Sequence, residues 1–242
     1  MMTKENNRTG DIASFFGSGD WESNKDRACL RFVAGFWNAN LQKQADRWCA
    51  AKSGLPCVAN PGYMQIQQLA VFCGSKEGGN PLYMQVAADL GRLMAARGIT
   101  LVYGGGNKGL MGAVANGVMD HGGKAIGVIP EVLIAWEHQH EGLTELHVVP
   151  DMHVRKKMMY ELCDAAVVLP GGHGTLDELF EMLTWNTLNI HNKKIILLNT
   201  AGYYTSLIEH MRVMTAQGFL YDNWEERLIV CTSAEEAIAL FD

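Results

Sequence analysis

The chain has 242 residues, 48% of them hydrophobic, which is enough apolar material for a complete core and excludes disorder as the main state. Its formal charge is −6, and no run of lysine or arginine is long enough to follow a nucleic-acid backbone, so nucleic-acid binding is not expected. The six cysteines (Cys29, Cys49, Cys57, Cys73, Cys163, Cys231) show no C-x-x-C spacing, and no window approaches bilayer length; reduced thiols in a cytoplasmic protein with no membrane partner are the expectation.

Residues 1–66 form an N-terminal extension that ends in the loop Ala59-Asn60-Pro61-Gly62. Within it Leu30, Val33, Ala34, Trp37, Leu41, Ala45 and Trp48 recur at steps of three and four, which predicts an amphipathic helix packed on its own domain or on a partner subunit. From residue 67 to 242 the rhythm changes. Short β-rich runs alternate with helical stretches, the pattern of a parallel sheet covered by helices. The predicted strands are Leu69–Cys73, Ile99–Tyr103, Ala125–Ile129, Leu146–Val149, Ala165–Leu169, Ile195–Leu198 and Leu228–Val230. Nearly all are continuous apolar runs, as strands buried on both faces require. The fold class is therefore α/β: a Rossmann-like, doubly wound, mostly parallel sheet of about seven strands with helices on both faces. Ligands of such sheets bind at the carboxyl ends of the strands.

Small residues gather at those ends. Gly74-Ser75 and Gly78-Gly79 follow the first strand, and Gly104-Gly105-Gly106-Asn107-Lys108-Gly109 follows the second. The latter satisfies G-x-G-x-x-G, and Glu131 after the next strand is placed to address a ribose hydroxyl; the same glycines would equally serve a tight turn that packs helix against strand. Further on, Asp151-Met152-His153-Val154-Arg155-Lys156-Lys157 opens a helix. Three cations there oppose the helix dipole, so either a bound phosphate calls for them or all three project into water.

The densest cluster is Pro170-Gly171-Gly172-His173-Gly174-Thr175-Leu176-Asp177-Glu178, directly after an apolar strand. Side-chain-free backbone at a helix start converges N–H groups on an anion, and a phosphate is the expected guest. Thr175 and Glu178 also have the T-x-x-E spacing of a capping box, in which both would merely cap the helix. That alternative leaves Pro170-Gly171-Gly172 and Gly174 unexplained. His173, inside the turn, is placed to stack on a base or sugar, or to face solvent. Eight histidines are present, but His138-Gln139-His140 with Glu137 and Glu141 lacks further ligands and no H-E-x-x-H occurs, so neither metal nor cofactor is expected. No G-x-S-x-G elbow exists, and Cys163 reads as packing.

In combination, Gly104-Gly105-Gly106 with Gly109-Leu110-Met111-Gly112, Met152-His153-x-Arg155-Lys156, and Pro170-Gly171-Gly172-x-Gly174-Thr175-x-x-Glu178 closely resemble the Lonely Guy family. The resemblance runs from about Gln68 to Leu240 and includes Thr184-Trp185, Leu188-x-Ile190-His191 and Leu198-Asn199-x-x-Gly202-Tyr203-Tyr204. It implies a cytokinin riboside 5′-monophosphate phosphoribohydrolase that needs no cofactor or metal and works as a homodimer or higher homo-oligomer. It implies that Arg155 and Glu178 are catalytic and that Gly171, Gly172, Gly174 and Thr175 receive the phosphate. Gly105, Glu141, Met152, Lys156, His173, Asp177 and Thr184 are the further substrate-binding positions. Two residues depart from the family pattern. His173 stands where tyrosine, phenylalanine or leucine is more usual, and Asp177 where many relatives carry glutamate. A non-catalytic nucleotide-binding or carrier protein of the same fold is the rival reading.

Overall fold

The computed structural model describes residues 66–137 and 139–241; the amphipathic helix expected before residue 66 lies outside them. Seven strands form one sheet: β1 Gln68–Phe72, β2 Thr100–Tyr103, β3 Ala125–Pro130, β4 Glu145–Val149, β5 Ala165–Val168, β6 Ile195–Leu198 and β7 Leu228–Cys231. Every pairing is parallel, in the order β4-β3-β2-β1-β5-β6-β7. The helices are α1 Pro81–Ala96, α2 Gly109–Met119, α3 Glu131–Glu137, α4 Met152–Leu162, α5 His173–Thr187, α6 Thr205–Ala216 and α7 Ala234–Ala239.

All seven predicted strands are present, each within about one residue of its expected bounds. The alternation of side chains along each strand sorts the core into two layers. Leu69, Val71, Leu101, Tyr103, Val167, Leu169, Ile196 and Leu198 face one side, against α1, α2 and α7. Ala70, Phe72, Val102, Ala166, Val168, Ile195 and Leu197 face the other, against α4, α5 and α6. Each fully buried leucine, isoleucine or phenylalanine contributes about 1.5–3 kcal/mol, so both faces must be apolar, and the strands lose any polar alternation. β4 departs from this because it is an edge strand: Glu145 and Val148 are exposed.

Local chemistry sets the helix ends. Asn80 caps α1 through its side chain, which accepts from the Leu82 N–H at 3.0 Å, and Pro81 follows at the first helical position, where its missing N–H costs nothing. Asp151 caps α4, accepting from the N–H groups of His153 at 2.8 Å and Val154 at 2.9 Å. The helices α1 and α2 touch through glycines. A Cβ on Gly91 would stand 2.3 Å from the Val114 carbonyl oxygen, and one on Gly117 would stand 2.5 Å from that of Ala88.

The strand order fixes where a ligand can go. The chain runs outward from β1 to β4, then returns to lay β5 on the other side of β1 and runs outward again to β7. The connections leaving β1 and β5 therefore part in opposite directions, and a crevice opens at their carboxyl ends. Among the described residues no helix is long and apolar enough to cross a membrane.

Candidate functional site

A cavity of about 750 Å³ lies at that reversal, a size typical of small-molecule sites. Its walls come from the loop after β1 (Gly74 to Asn80), the start of the turn after β2 (Gly104), helices α1, α2 and α4 (Tyr83, Leu110, Met111, Arg155, Met159), the turn after β5 with the start of α5 (Pro170 to Thr175, Glu178), and Tyr203.

The guanidinium of Arg155 is buried, with the residue only 5% exposed. Burial of a cation demands acceptors, and the sheet supplies them: Nε donates to the Val128 carbonyl at 3.1 Å and Nη2 to the Gly104 carbonyl at 3.2 Å. Met152 Sδ accepts from Nη1 at 3.8 Å. A Cβ on Gly104 would fall 2.1 Å from Nη2. This glycine is therefore the space through which the guanidinium reaches the cavity. Its neighbour Gly105 has a different reason. There φ is +78°, and the residue packs on Ile129 and Leu146 while its carbonyl accepts from the His140 N–H at 3.0 Å. Backbone conformation and close packing thus account for Gly105, while Gly104 makes room for Arg155.

The three cations of α4 meet separate fates, and only one is a solvated charge. Lys157 is exposed and lies 3.7 Å from Glu161. Lys156 is buried against α5, 3.0 Å from Asp177 Oδ2 and 3.1 Å from Glu181 Oε2. Burial works against its ammonium, yet the hydrogen bonds and charges of Asp177 and Glu181 outweigh that and hold its pKa above the usual lysine value. Tyr160 Oη joins the same group, donating to Glu181 Oε2 at 2.8 Å, and its pKa is pushed up, chiefly by burial and then by Glu181.

The capping-box alternative fails on the position of the helix start. α5 begins at His173 with Gly172 as its N-cap, and no side chain caps it. Thr175 is thus the third helical residue and Glu178 the sixth, beyond the first turn. The first intrahelical bond runs from the Leu176 N–H to the Gly172 carbonyl at 3.1 Å, so the N–H groups of His173, Gly174 and Thr175 precede it. Glycine at 171 is explained from within, since a Cβ there would lie 2.1 Å from Thr175 Oγ1. Gly172 and Gly174 are not: a Cβ at either would meet nothing within 4 Å, and neither has a positive φ.

Of the residues singled out in the sequence, Arg155, Gly171, Gly172, His173, Gly174, Thr175 and Glu178 share the cavity wall. Gly105, Glu141, Met152, Lys156, Asp177 and Thr184 do not. Met152 supports Arg155, Lys156 and Asp177 pair with each other, and Thr184 Oγ1 donates to the Phe180 carbonyl at 2.7 Å. The cavity adds residues that were not singled out as site residues in the sequence: Lys76, Glu77, Tyr83 and Tyr203, the last within the family-like stretch Leu198-Asn199-x-x-Gly202-Tyr203-Tyr204. Only the small residues Gly74, Gly78 and Gly79 beside them hinted at room for a ligand. Cys163 is buried, and burial pushes its thiol up to about 11, as a packing residue requires. Among the described residues no three His, Cys, Asp or Glu side chains gather as a metal ion would need.

His140 fastens the segment before β4 to the first glycine turn. The Gly142 N–H, an obligatory donor, points at Nδ1 at 3.0 Å, so the ring proton sits on Nε2 and is given to Asn116 Oδ1 at 3.0 Å. A neutral imidazole satisfies both contacts and an imidazolium only one. Burial lowers its pKa, and Asp120 opposes this only in part.

Two outcomes follow from these contacts. Gly104→Ala places a Cβ 2.1 Å from Nη2, forces the guanidinium aside and breaks its contact with the residue-104 carbonyl, so melting temperature should fall by several degrees; an unchanged melting temperature would show that Arg155 tolerates the shift. Because the folded-state pKa of His140 lies below its unfolded value of about 6.5, the unfolded chain binds more protons between those two values. The stability held by neutral His140 is complete above pH 6.5 and is lost as pH falls toward the folded pKa. Melting temperature therefore declines from pH 7 to pH 5, and less steeply in His140→Gln; equal slopes in the two proteins would remove this role.

Residues 111–241 match the model of the family described as "possible lysine decarboxylase". The cytokinin riboside 5′-monophosphate phosphoribohydrolase of Rhodococcoides fascians is 48% identical over 174 residues, spanning 72% of this chain and 88% of that protein. The Arabidopsis thaliana cytokinin riboside 5′-monophosphate phosphoribohydrolase LOG3 is 42% identical over 174 residues, 72% of this chain and 81% of its own. Among solved structures, a molybdenum cofactor binding protein from Rippkaea orientalis superposes with a TM-score of 0.56 at 23% identity, over 73% of this chain and 96% of that one. A Moco carrier protein from Chlamydomonas reinhardtii gives 0.54 at 22%, over 71% and 93%; at such identities the two show a shared fold. The sequence relatives show more: the chain belongs to the phosphoribohydrolase family that its motifs resemble, a family of N-glycosidases.

Proposed function

We propose that this enzyme hydrolyses the N-glycosidic bond of adenine-type nucleoside 5′-monophosphates, cytokinin riboside 5′-monophosphates and AMP, to free base and ribose 5-phosphate. The observation that carries this reading is the meeting, in one cavity, of Arg155, Glu178 and a helix start that no side chain caps. The relatives named for cytokinin riboside 5′-monophosphates support the prenylated substrates. AMP rests on its shared ribose 5-phosphate and purine.

In this reading the phosphate sits on the N–H groups of Gly172 to Thr175, where the helix dipole adds partial positive charge. Gly172 and Gly174 then have a reason to lack side chains, because a Cβ there would occupy the space of the anion. Binding energy from the phosphate holds the ribose in a reactive geometry. As the C1′–N bond breaks, its electron pair leaves on the base and positive charge grows on the ribose ring. The Glu178 carboxylate stabilises that charge and takes a proton from the water that adds to C1′. The departing base nitrogen takes up a proton, which restores Glu178 to its charged form through solvent. Arg155, fixed by the carbonyls of Val128 and Gly104, holds the substrate in register.

We further propose a cytoplasmic homo-oligomer. The three cysteines of the described region are free and buried, as reduced thiols are. Leu188 (63% exposed), Ile190 (61%) and Met152 (38%) present apolar surface that a second copy would cover. Light scattering on the full chain should give a multiple of the protomer mass, and a monomer at micromolar concentration would remove the proposal.

The activity is tested by incubating the protein with AMP and with isopentenyl-AMP and following free base by chromatography. Release from at least one is expected; release from neither, with nucleotide binding intact, supports a carrier instead. Glu178→Gln should lower turnover at least about 100-fold while melting temperature and nucleotide affinity stay near wild type. Unchanged turnover would take Glu178 out of the chemistry.

A further inference from the structure

We infer that Tyr203 is a positioning residue for the phosphate end of the substrate, acting through the peptide that joins Gly171 to Gly172. The inference rests on the reading of this turn as the phosphate seat.

Three successive carbonyls of the turn are each held from outside it. The Leu169 carbonyl accepts from Tyr204 Oη at 2.7 Å, that of Pro170 from the Gly74 N–H at 3.0 Å, and that of Gly171 from Tyr203 Oη at 2.6 Å. In a planar trans peptide the carbonyl and the following N–H point in opposite directions. Fixing the carbonyls of Pro170 and Gly171 therefore aims the N–H groups of Gly171 and Gly172 away from those partners. Gly171 and Gly172 bring no side chains of their own to restrain the peptide between them, and glycine backbone has the widest choice of conformations. The hydroxyl of Tyr203 supplies the restraint that the residue type withholds.

Tyr203 itself is held. The turn Thr200–Gly202 brings it back from β6 toward the turn after β5, with Ala201 at φ 51° and Gly202 at φ 74°. Its ring meets Tyr83 edge to face at 5.6 Å and Tyr204 at 4.8 Å. The two tyrosines differ in placement: Tyr204 is 2% exposed and belongs to the core, whereas Tyr203 is 44% exposed and stands on the cavity wall. A clamp that served only the fold would have no need to stand there.

The test separates the two halves of the substrate. Affinities of the full chain for ribose 5-phosphate and for free adenine are measured by calorimetry for wild type and Tyr203→Phe, alongside melting temperature. Losing one hydrogen bond that orders the seat should weaken ribose 5-phosphate by about three- to tenfold, leave adenine unchanged and leave the melting temperature close to wild type. Tyr203→Leu, which also removes the ring, should weaken ribose 5-phosphate at least as much. Unchanged ribose 5-phosphate affinity in Tyr203→Phe overturns the inference, as does an equal loss for adenine, or absence of ribose 5-phosphate binding in wild type. A lower melting temperature with normal affinity makes Tyr203 a fold residue and overturns it too. Failure of the hydrolysis reading is seen separately, as no base release from wild type even though ribose 5-phosphate binding responds to Tyr203.

Discussion

A buried guanidinium governs the layout of this site. Arg155 is 5% exposed, and a cation taken out of water must find acceptors or cost several kcal/mol. The acceptors are backbone carbonyls of Gly104, just past β2, and Val128, within β3. They are rigid because each strand is paired on both sides, and the guanidinium inherits that rigidity. Two consequences spread outward. Residue 104 must lack a Cβ, and α4 must lie where its fourth residue reaches the sheet edge. Asp151 makes that placement tolerable by capping α4 and setting a negative charge at the end where Arg155 and Lys156 would otherwise oppose the dipole.

The second half of the site is built from backbone. Lys156 ties α4 to Asp177 and Glu181 on α5, so the helix that carries Glu178 is registered against the helix that carries Arg155. Lys193 caps the far end of α4, donating to the carbonyls of Tyr160 and Cys163. A cation on the last carbonyls of a helix is the favourable sense of the dipole. The cavity thus lies between two helices locked to each other behind it, and its front is a turn whose carbonyls are all spoken for.

The fold was legible from the sequence because its strands are buried on both faces, which leaves unbroken apolar runs such as Ala165–Leu169 and Ile195–Leu198. The position of the site was legible because the densest glycine clusters follow β2 and β5. Roles were harder to read. Glycine looks the same at 104, 105 and 172, yet the first makes room for Arg155, the second adopts a positive φ, and the third has open space beside it. Spacing misled at Thr175 and Glu178, because T-x-x-E says nothing about where the helix begins; here it begins two residues before Thr175. Tyr203 stood in a family-like motif but with no role to read from it, because it lies on another strand's connection and only the pairing of β5 with β6 brings it near Gly171.

In the proposed reaction the same helix start would let one short segment serve both a phosphate and a cationic transition state. Glu178 lies six residues past Gly172, a rise of about 9 Å along the axis, and its side chain leans back toward the N-terminus as helical side chains do. Gly174 and Thr175 precede it by four and three residues, so all three share a face. That face is the one that lines the cavity, while Asp177, next in sequence to Glu178, turns toward Lys156 instead. On the proposed reading, an anion on the first N–H groups and a carboxylate one turn further along would thereby be kept apart on one face of the helix. The helix's own field favours the anion at its end and fades within a turn. A carboxylate one turn earlier would itself lie among the unbonded N–H groups of the helix start and compete with any anion there.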